Sequence, residues 1–119
     1  MSTIKDFEEL EIWKNARPLV SKVYSDFREI KDYAFKDQVC RAAISVMNNI
    51  SEGFGRGGNK EFIQFLKIAR GSANELKNMY YIAFDLEYSD DDTRISRQQE
   101  IQGIINGISK LIQYLRSTK

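Results

Sequence analysis

The sequence has no histidine, one cysteine and one proline among its 119 residues. Without histidine it lacks the commonest general base and the usual zinc ligand, and a lone Cys40 excludes an internal disulfide. We expect Cys40 to be a small buried apolar residue in a reduced, cytoplasmic protein. No apolar run is long enough to span a bilayer, and residues 1–6 lack the apolar core of a signal peptide, so no membrane partner is expected.

Net charge is the second feature that is nearly absent, since basic and acidic groups almost balance to a formal net charge of +1. Residues 1–53 carry eight basic and nine acidic groups, and residues 54–88 and 89–119 each carry five basic and four acidic groups. This balance does not indicate a generally basic nucleic-acid binder, although it leaves room for a local patch. The length predicts one domain over residues 1–119.

What remains is a chain with apolar residues at helical spacing and few helix breakers. We predict an all-α fold in which an up-down-up-down antiparallel four-helix bundle is formed by helices at about Glu8–Arg28, Phe35–Glu52, Asn59–Glu87 and Asp91–Arg116. Residues 53–58, which hold four of the seven glycines, are predicted to form a loop between the second and third helices. Asn59 is the predicted N-cap of the third helix, and Ser89 with Asp92 is the predicted capping pair of the fourth.

The second predicted helix is apolar around most of its circumference over residues 38–53. Such a helix is expected to be buried on two sides, and the third helix adds Ile63, Ile68 and Ile82 beside its own stripe. We therefore predict a homo-oligomer assembled through the second and third helices. The alternative is a monomer with a thick core and a few exposed apolar residues.

One polar row interrupts the apolar surface of the second helix. We predict a polar network, at the subunit interface or inside the bundle, that joins this row to the third helix and comprises Gln38, Arg41, Ser45, Asn49, Glu52, Ser72 and Glu75. Arg41 and Glu75 are the predicted ion pair, because a guanidinium in apolar surroundings needs a carboxylate. The network could fix helix register, or it could line a channel or pocket for a small anion or a phosphate.

A basic group surrounds the glycines and continues along the third helix. It comprises Arg56, Lys60, Lys67, Arg70 and Lys77. The loop lacks the Gly-Lys-Ser/Thr spacing of a nucleotide P-loop. These charges form either a solvated face or, if several copies converge in an assembly, a salt-sensitive surface for RNA or DNA.

Catalytic and metal chemistry have little support in the sequence. An enzyme without histidine would need a carboxylate pair or a lysine in a pocket, and Glu52 with Glu75 is more simply explained as a structural pair. The run Asp90-Asp91-Asp92 lacks the ligand alternation of a calcium loop. We predict no catalytic residue, no metal site and no cofactor.

Two segments and the opening of the chain carry a family resemblance. The residues are Gln38, residues 41–45, residues 49–53 and Arg56, then residues 61–62, 65–72 and 75–76, with residues 7–13 at the start. This pattern resembles the small four-helix-bundle proteins encoded in intervening sequences of bacterial 23S rRNA genes. It is distantly similar to the accessory protein of diversity-generating retroelements, a basic pentamer that contacts nucleic acid.

The resemblance implies a homopentamer around a central channel and no settled activity. We therefore expect a non-enzymatic, homo-oligomeric scaffold that engages RNA, a ribonucleoprotein or a nucleic-acid-processing protein. The alternative is a protein–protein adaptor that binds no nucleic acid.

Overall fold

The computed structural model describes residues 3–118, which contain four long helices and no strand. A 3₁₀ helix, Phe7–Glu9, precedes α1 (Glu11–Asp26), α2 (Tyr33–Gly55), α3 (Asn59–Asp85) and α4 (Asp91–Ser117). Each helix packs against the next, and α4 returns to α1, in a bundle that measures 48 × 21 × 19 Å. The prediction of an all-α four-helix fold is confirmed.

Apolar residues at helical spacing form one core along the bundle axis. In α4, for example, the side chains of Ile101, Ile108, Ile112 and Leu115 are 2% exposed or less. The short 3₁₀ helix covers one end, where the Phe7 and Trp13 rings meet edge to face with their centroids 5.4 Å apart. The stripes predicted for α3 and α4 are those that the core uses.

The link between α2 and α3 is shorter than the predicted glycine loop. The helix α2 begins at Tyr33 because the Asp32 side chain accepts the Phe35 N–H, with N and O 3.1 Å apart, and it continues through Gly53 to Gly55. Gly53 is buried in that helix. The prediction of a loop over residues 53–58 is therefore wrong for residues 53–55. The turn after Arg56 requires glycine, since Gly57 has φ 87°.

Asn59 does not cap α3, contrary to the prediction, since Gly58 holds the N-cap position. The Asn59 Nδ2 donates instead to the backbone oxygens of Leu115 and Thr118, at 3.3 Å each. The start of α3 is thereby fastened to the end of α4. The Leu115 carbonyl also accepts the Thr118 N–H, so the bond from Asn59 is an additional one at the end of α4.

The turn between α3 and α4 closes with two backbone bonds, from Tyr88 N–H to Ala83 O at 2.7 Å and from Glu87 N–H to Phe84 O at 3.0 Å. This pattern is a Schellman motif, with Glu87 in the left-handed region at φ 62°. Asp90 caps α4 by accepting the Thr93 N–H at 2.7 Å. The predicted capping pair of Ser89 with Asp92 is wrong.

The apolar side chains of α2 are buried or half-buried within one subunit. Its most apolar side chains, Val39, Ala43, Val46 and Ile50, are at most 1% exposed, and Ile44 and Met47 are half-buried. The argument that α2 needs a second subunit to cover its apolar surface is therefore wrong. The apolar excess lies on α3, where Ile68 is 53% and Ile82 40% exposed.

Candidate interaction surfaces

The polar row of α2 lies at its junction with α3, and two of its side chains bond across that junction. Gln38 Nε2 donates to Glu75 Oε2 at 3.2 Å, and the hydroxyl oxygens of Ser45 and Ser72 are 2.7 Å apart. Asn49 Nδ2 donates back to the Ser45 backbone oxygen at 2.8 Å. The row therefore joins α2 to α3 at two places along their length.

The other members of the row face solvent and pair along their own helix. Arg41 Nε lies 2.8 Å from Asp37 Oδ2, with 78% of its side chain exposed, so the predicted pairing of Arg41 with Glu75 inside the chain is wrong. Glu52 binds Arg56 one turn later, with the Arg56 Nη2 and Glu52 Oε2 atoms 2.8 Å apart. Exposed pairs of this kind contribute little to stability.

A line of three α3 residues runs beside this polar row. Ile68, Glu75 and Ile82 are spaced by seven residues, so they stand above one another on one side of the helix. All three are exposed. Together with the exposed α2 row they form what we call the α2–α3 face, defined by Gln38, Arg41, Ser45, Asn48, Glu52, Ile68, Glu75 and Ile82.

The predicted basic group divides between two sides of α3. Arg56 lies on the α2 side, where its guanidinium sits 4.9 Å from the centroid of the Phe65 ring. Arg70 and Lys77 reach across to α4, where Arg70 Nη1 donates to Ser109 Oγ at 3.0 Å and Lys77 Nζ to Gln102 Oε1 at 2.6 Å. Lys60 and Lys67 are exposed.

Four of these cations share a side of α3, and their charge is uncompensated. Lys60, Lys67, Arg70 and Lys77 follow each other at intervals of seven, three and seven residues, which keeps them in one strip. Within residues 3–118, no carboxylate lies within salt-bridge distance of any of the four. We call them the α3 basic strip. Arg56 does not belong to it.

The strongest ionic cluster was not anticipated from the sequence. Asp26, at the end of α1, accepts from Arg97 Nε at 2.8 Å, from Arg97 Nη2 at 2.9 Å and from the Tyr80 hydroxyl at 2.6 Å. The Asp26 side chain is only 10% exposed, and Tyr80 is fully buried. Three helices therefore meet on one carboxylate.

The electrostatics of this cluster favour a single protonation state. Burial, followed by the bond to Asp26, raises the pKa of the Tyr80 hydroxyl, so it stays protonated as a donor. Burial alone would lower the pKa of Arg97, but its bonds to Asp26 outweigh that effect and raise it. The cluster is a structural clamp. The sequence did not predict a role for Asp26, because its partners Tyr80 and Arg97 lie 54 and 71 residues away.

The aromatic side chains divide between the core and the surface. Tyr80 is buried and Trp13 half-buried, whereas Tyr24, Tyr81 and Tyr114 are 43%, 50% and 48% exposed. Helical spacing alone placed Tyr24 and Tyr81 next to core positions, but each lies one step outside the buried stripe.

Across residues 3–118, no three His, Cys, Asp or Glu side chains are grouped so that they could hold a metal ion. None of the helices there combines the length and the apolar character needed to cross a bilayer.

Comparison with known proteins gives a consistent picture. A model of the 23S rRNA-intervening sequence protein family matches residues 8–112. The chain is also similar to a crystal structure from Bacteroides thetaiotaomicron, described as a protein with unknown function from the S23 ribosomal protein family. That likeness has 21% sequence identity and a TM-score of 0.79, covers 85% of this chain and 97% of the other, and concerns the fold alone. A search of curated proteins found no match.

Proposed function

Since a match over residues 8–112 places the chain in the 23S rRNA-intervening sequence protein family, we propose that it acts as a non-enzymatic, homo-oligomeric scaffold in the cytoplasm. In this proposal the assembly is a homopentamer of four-helix bundles and engages RNA or a ribonucleoprotein. Support for a reducing compartment comes from the single, buried and unpaired Cys40.

Self-association is supported chiefly by the line Ile68–Glu75–Ile82 on the α2–α3 face. Two isoleucines, 53% and 40% exposed, stand fourteen residues apart, which is about 21 Å along a helix. Apolar side chains at seven-residue spacing are what a neighbouring helix packs against in helical assemblies. The polar residues between them supply the hydrogen-bonding rim that subunit contacts usually carry.

The role of Ile82 can be tested by charge insertion. We expect Ile82→Lys to reduce the mass in solution to that of the 13.8 kDa chain, because a lysine cannot be buried unpaired in a subunit contact. Analytical ultracentrifugation at micromolar concentration measures the change. Ile95→Lys is a matched control, since Ile95 is 41% exposed against 40% for Ile82 but lies on α4, and it should leave the mass unchanged.

Two results would contradict self-association through this face. One is a wild-type protein that sediments only as the 13.8 kDa chain. The other is an Ile82→Lys protein of unchanged mass.

Binding of RNA is supported by the α3 basic strip. Its four cations have no carboxylate partner among the described residues, so a phosphate backbone could neutralise them without breaking an ion pair. Repetition around a ring would multiply a weak contact into a measurable affinity.

We expect structured RNA to bind with an affinity that falls steeply with salt, and Lys60→Glu with Lys67→Glu to weaken that binding at least about tenfold. Fluorescence polarisation at about 50 mM salt is the measurement. As a control, Arg56→Glu should have a smaller effect, because Arg56 is already paired with Glu52. A flat titration with both structured RNA and single-stranded DNA would contradict the proposed RNA binding and favour the alternative, a protein–protein adaptor that binds no nucleic acid.

A further inference from the structure

Exposed apolar surface and negative charge both concentrate in residues 81–95, at the turn between α3 and α4. Five of the nine large apolar side chains that are exposed within residues 3–118 lie there: Tyr81, Ile82, Phe84, Leu86 and Ile95. The same fifteen residues hold five acidic groups and one basic group, a net charge of −4 in a chain of +1. We call residues 81–95 the acidic tip.

Two aromatic side chains of the tip pack against Arg94. Its guanidinium carbon lies 5.3 Å from the Tyr81 ring centroid and 5.2 Å from that of Phe84. The same guanidinium donates to Asp91 and Gln98, so its charge is already satisfied. Half of Tyr81 and 40% of Phe84 remain exposed, and Ile95 follows Arg94 on α4. The result is a fixed aromatic surface that carries no free positive charge.

A groove beside this surface is lined with carboxylates. Its walls are Phe84, Glu87, Tyr88, Ser89 and Asp90. Asp90 Oδ1 caps α4, and hydrogen bonds from the backbone N–H and the side chain of Thr93 hold the pKa of Asp90 below its usual value. Negative charge and aromatic surface are therefore available side by side.

We propose that the acidic tip binds a basic amphipathic helix of a partner protein. Apolar side chains of that helix would pack on Tyr81, Phe84 and Ile95, and its lysines or arginines would meet Glu87 and Asp90. Aromatic anchors in an apolar centre with a charged rim are what such recognition uses. The net charge of −4 repels a phosphate backbone, which separates this surface from the α3 basic strip.

This inference goes beyond the proposed scaffold and does not depend on it, because the tip is complete within one subunit. If the assembly forms, each ring displays several tips and the avidity for a multivalent partner rises. If the chain is a monomer, the tip still binds one helix.

The test uses a fluorescein-labelled peptide of about 18 residues, with leucine and lysine at helical spacing. We expect saturable binding that weakens with salt, and no binding of the same peptide with glutamate in place of lysine. Ile95→Lys should weaken the binding at least about tenfold, because it places a cation in the apolar centre. Ile68→Lys is the control, since Ile68 is exposed on the α2–α3 face outside residues 81–95, and it should leave peptide affinity unchanged.

Glu87→Gly separates recognition from stability. Glycine suits the left-handed conformation at this position, and removing a carboxylate from the carboxyl end of α3 relieves its unfavourable position in the helix dipole. We therefore expect Tm to rise by about 4 °C while the peptide binds severalfold more weakly. A substitution that merely disturbed the turn would lower both.

Three outcomes would overturn the proposal. The first is the absence of saturable binding of the lysine peptide below about 100 μM at low salt. The second is equal binding of the glutamate peptide. The third is a drop in the mass of the assembly on Ile95→Lys, which would assign the tip to a second copy of the chain. A monomeric wild-type protein that binds the lysine peptide would reject the scaffold and leave this proposal standing.

Discussion

Asp26→Ala should lower the free energy of unfolding by about 3 kcal/mol, because it leaves a partly buried guanidinium and a fully buried hydroxyl without their acceptor. Arg97 would keep only its 3.3 Å contact with Glu100, and the Tyr80 hydroxyl would lose its acceptor. Chemical denaturation at fixed protein concentration measures the change. Tyr80→Phe should cost only about 1 kcal/mol, since Asp26 keeps both bonds from Arg97.

Asp37→Ala is the matched control for this prediction. It removes the same side chain from a pair of equal length, 2.8 Å, but 64% of the Asp37 side chain is exposed against 10% for Asp26. We expect a loss below about 0.5 kcal/mol. Equal effects of the two substitutions would show that burial does not set the strength of the Asp26 cluster.

Gly53→Ala should destabilise the protein by about 3 kcal/mol through overpacking. A Cβ atom at Gly53 would lie 2.5 Å from the Cβ of Phe65 and 3.1 Å from Cδ1 of Phe62. The first of these atoms is fixed to the backbone of α3, so relief requires the two helices to separate. The loss should appear as a lower midpoint in denaturant with the slope preserved.

Gly71→Ala on α3 provides the opposite result. An added Cβ there meets nothing within 4 Å, so alanine should stabilise the helix by about 1 kcal/mol. A Gly53→Ala protein as stable as wild type would contradict the close approach of α2 and α3. Both variants should be denatured at the same protein concentration, because assembly makes the unfolding midpoint depend on concentration.

The helices and their buried stripes were predictable because helical spacing of apolar residues is a local property. Helix ends were less so, since several residues compete for each cap. Asn59 is a residue type that often serves as an N-cap, but the end of α4 lies close enough for the Asn59 side chain to donate a hydrogen bond to it instead. Gly53 is typical of a helix end, yet it lies inside α2 and allows a close approach to α3.

The candidate surfaces were predictable only in part, because their chemistry depends on which helix faces lie together. Gln38 bonds to Glu75 and Ser45 to Ser72 across the junction of α2 with α3, but the nearest partner of Arg41 is Asp37, one turn away. The acidic tip was not predicted from the sequence, because charges were counted over longer segments in which acidic and basic groups nearly balance. Dividing the chain after residue 88 splits its five carboxylates between two of them.

The bonds from Asn59 to Leu115 and Thr118 settle where a reporter can be attached. They anchor the carboxyl-terminal end of α4 beside the glycine turn, at the far end of a 48 Å bundle from residues 81–95. A dye or an affinity handle joined there is remote from the groove at Phe84. Immobilised protein should therefore present every copy of that groove outward, with the same orientation toward a soluble binding partner.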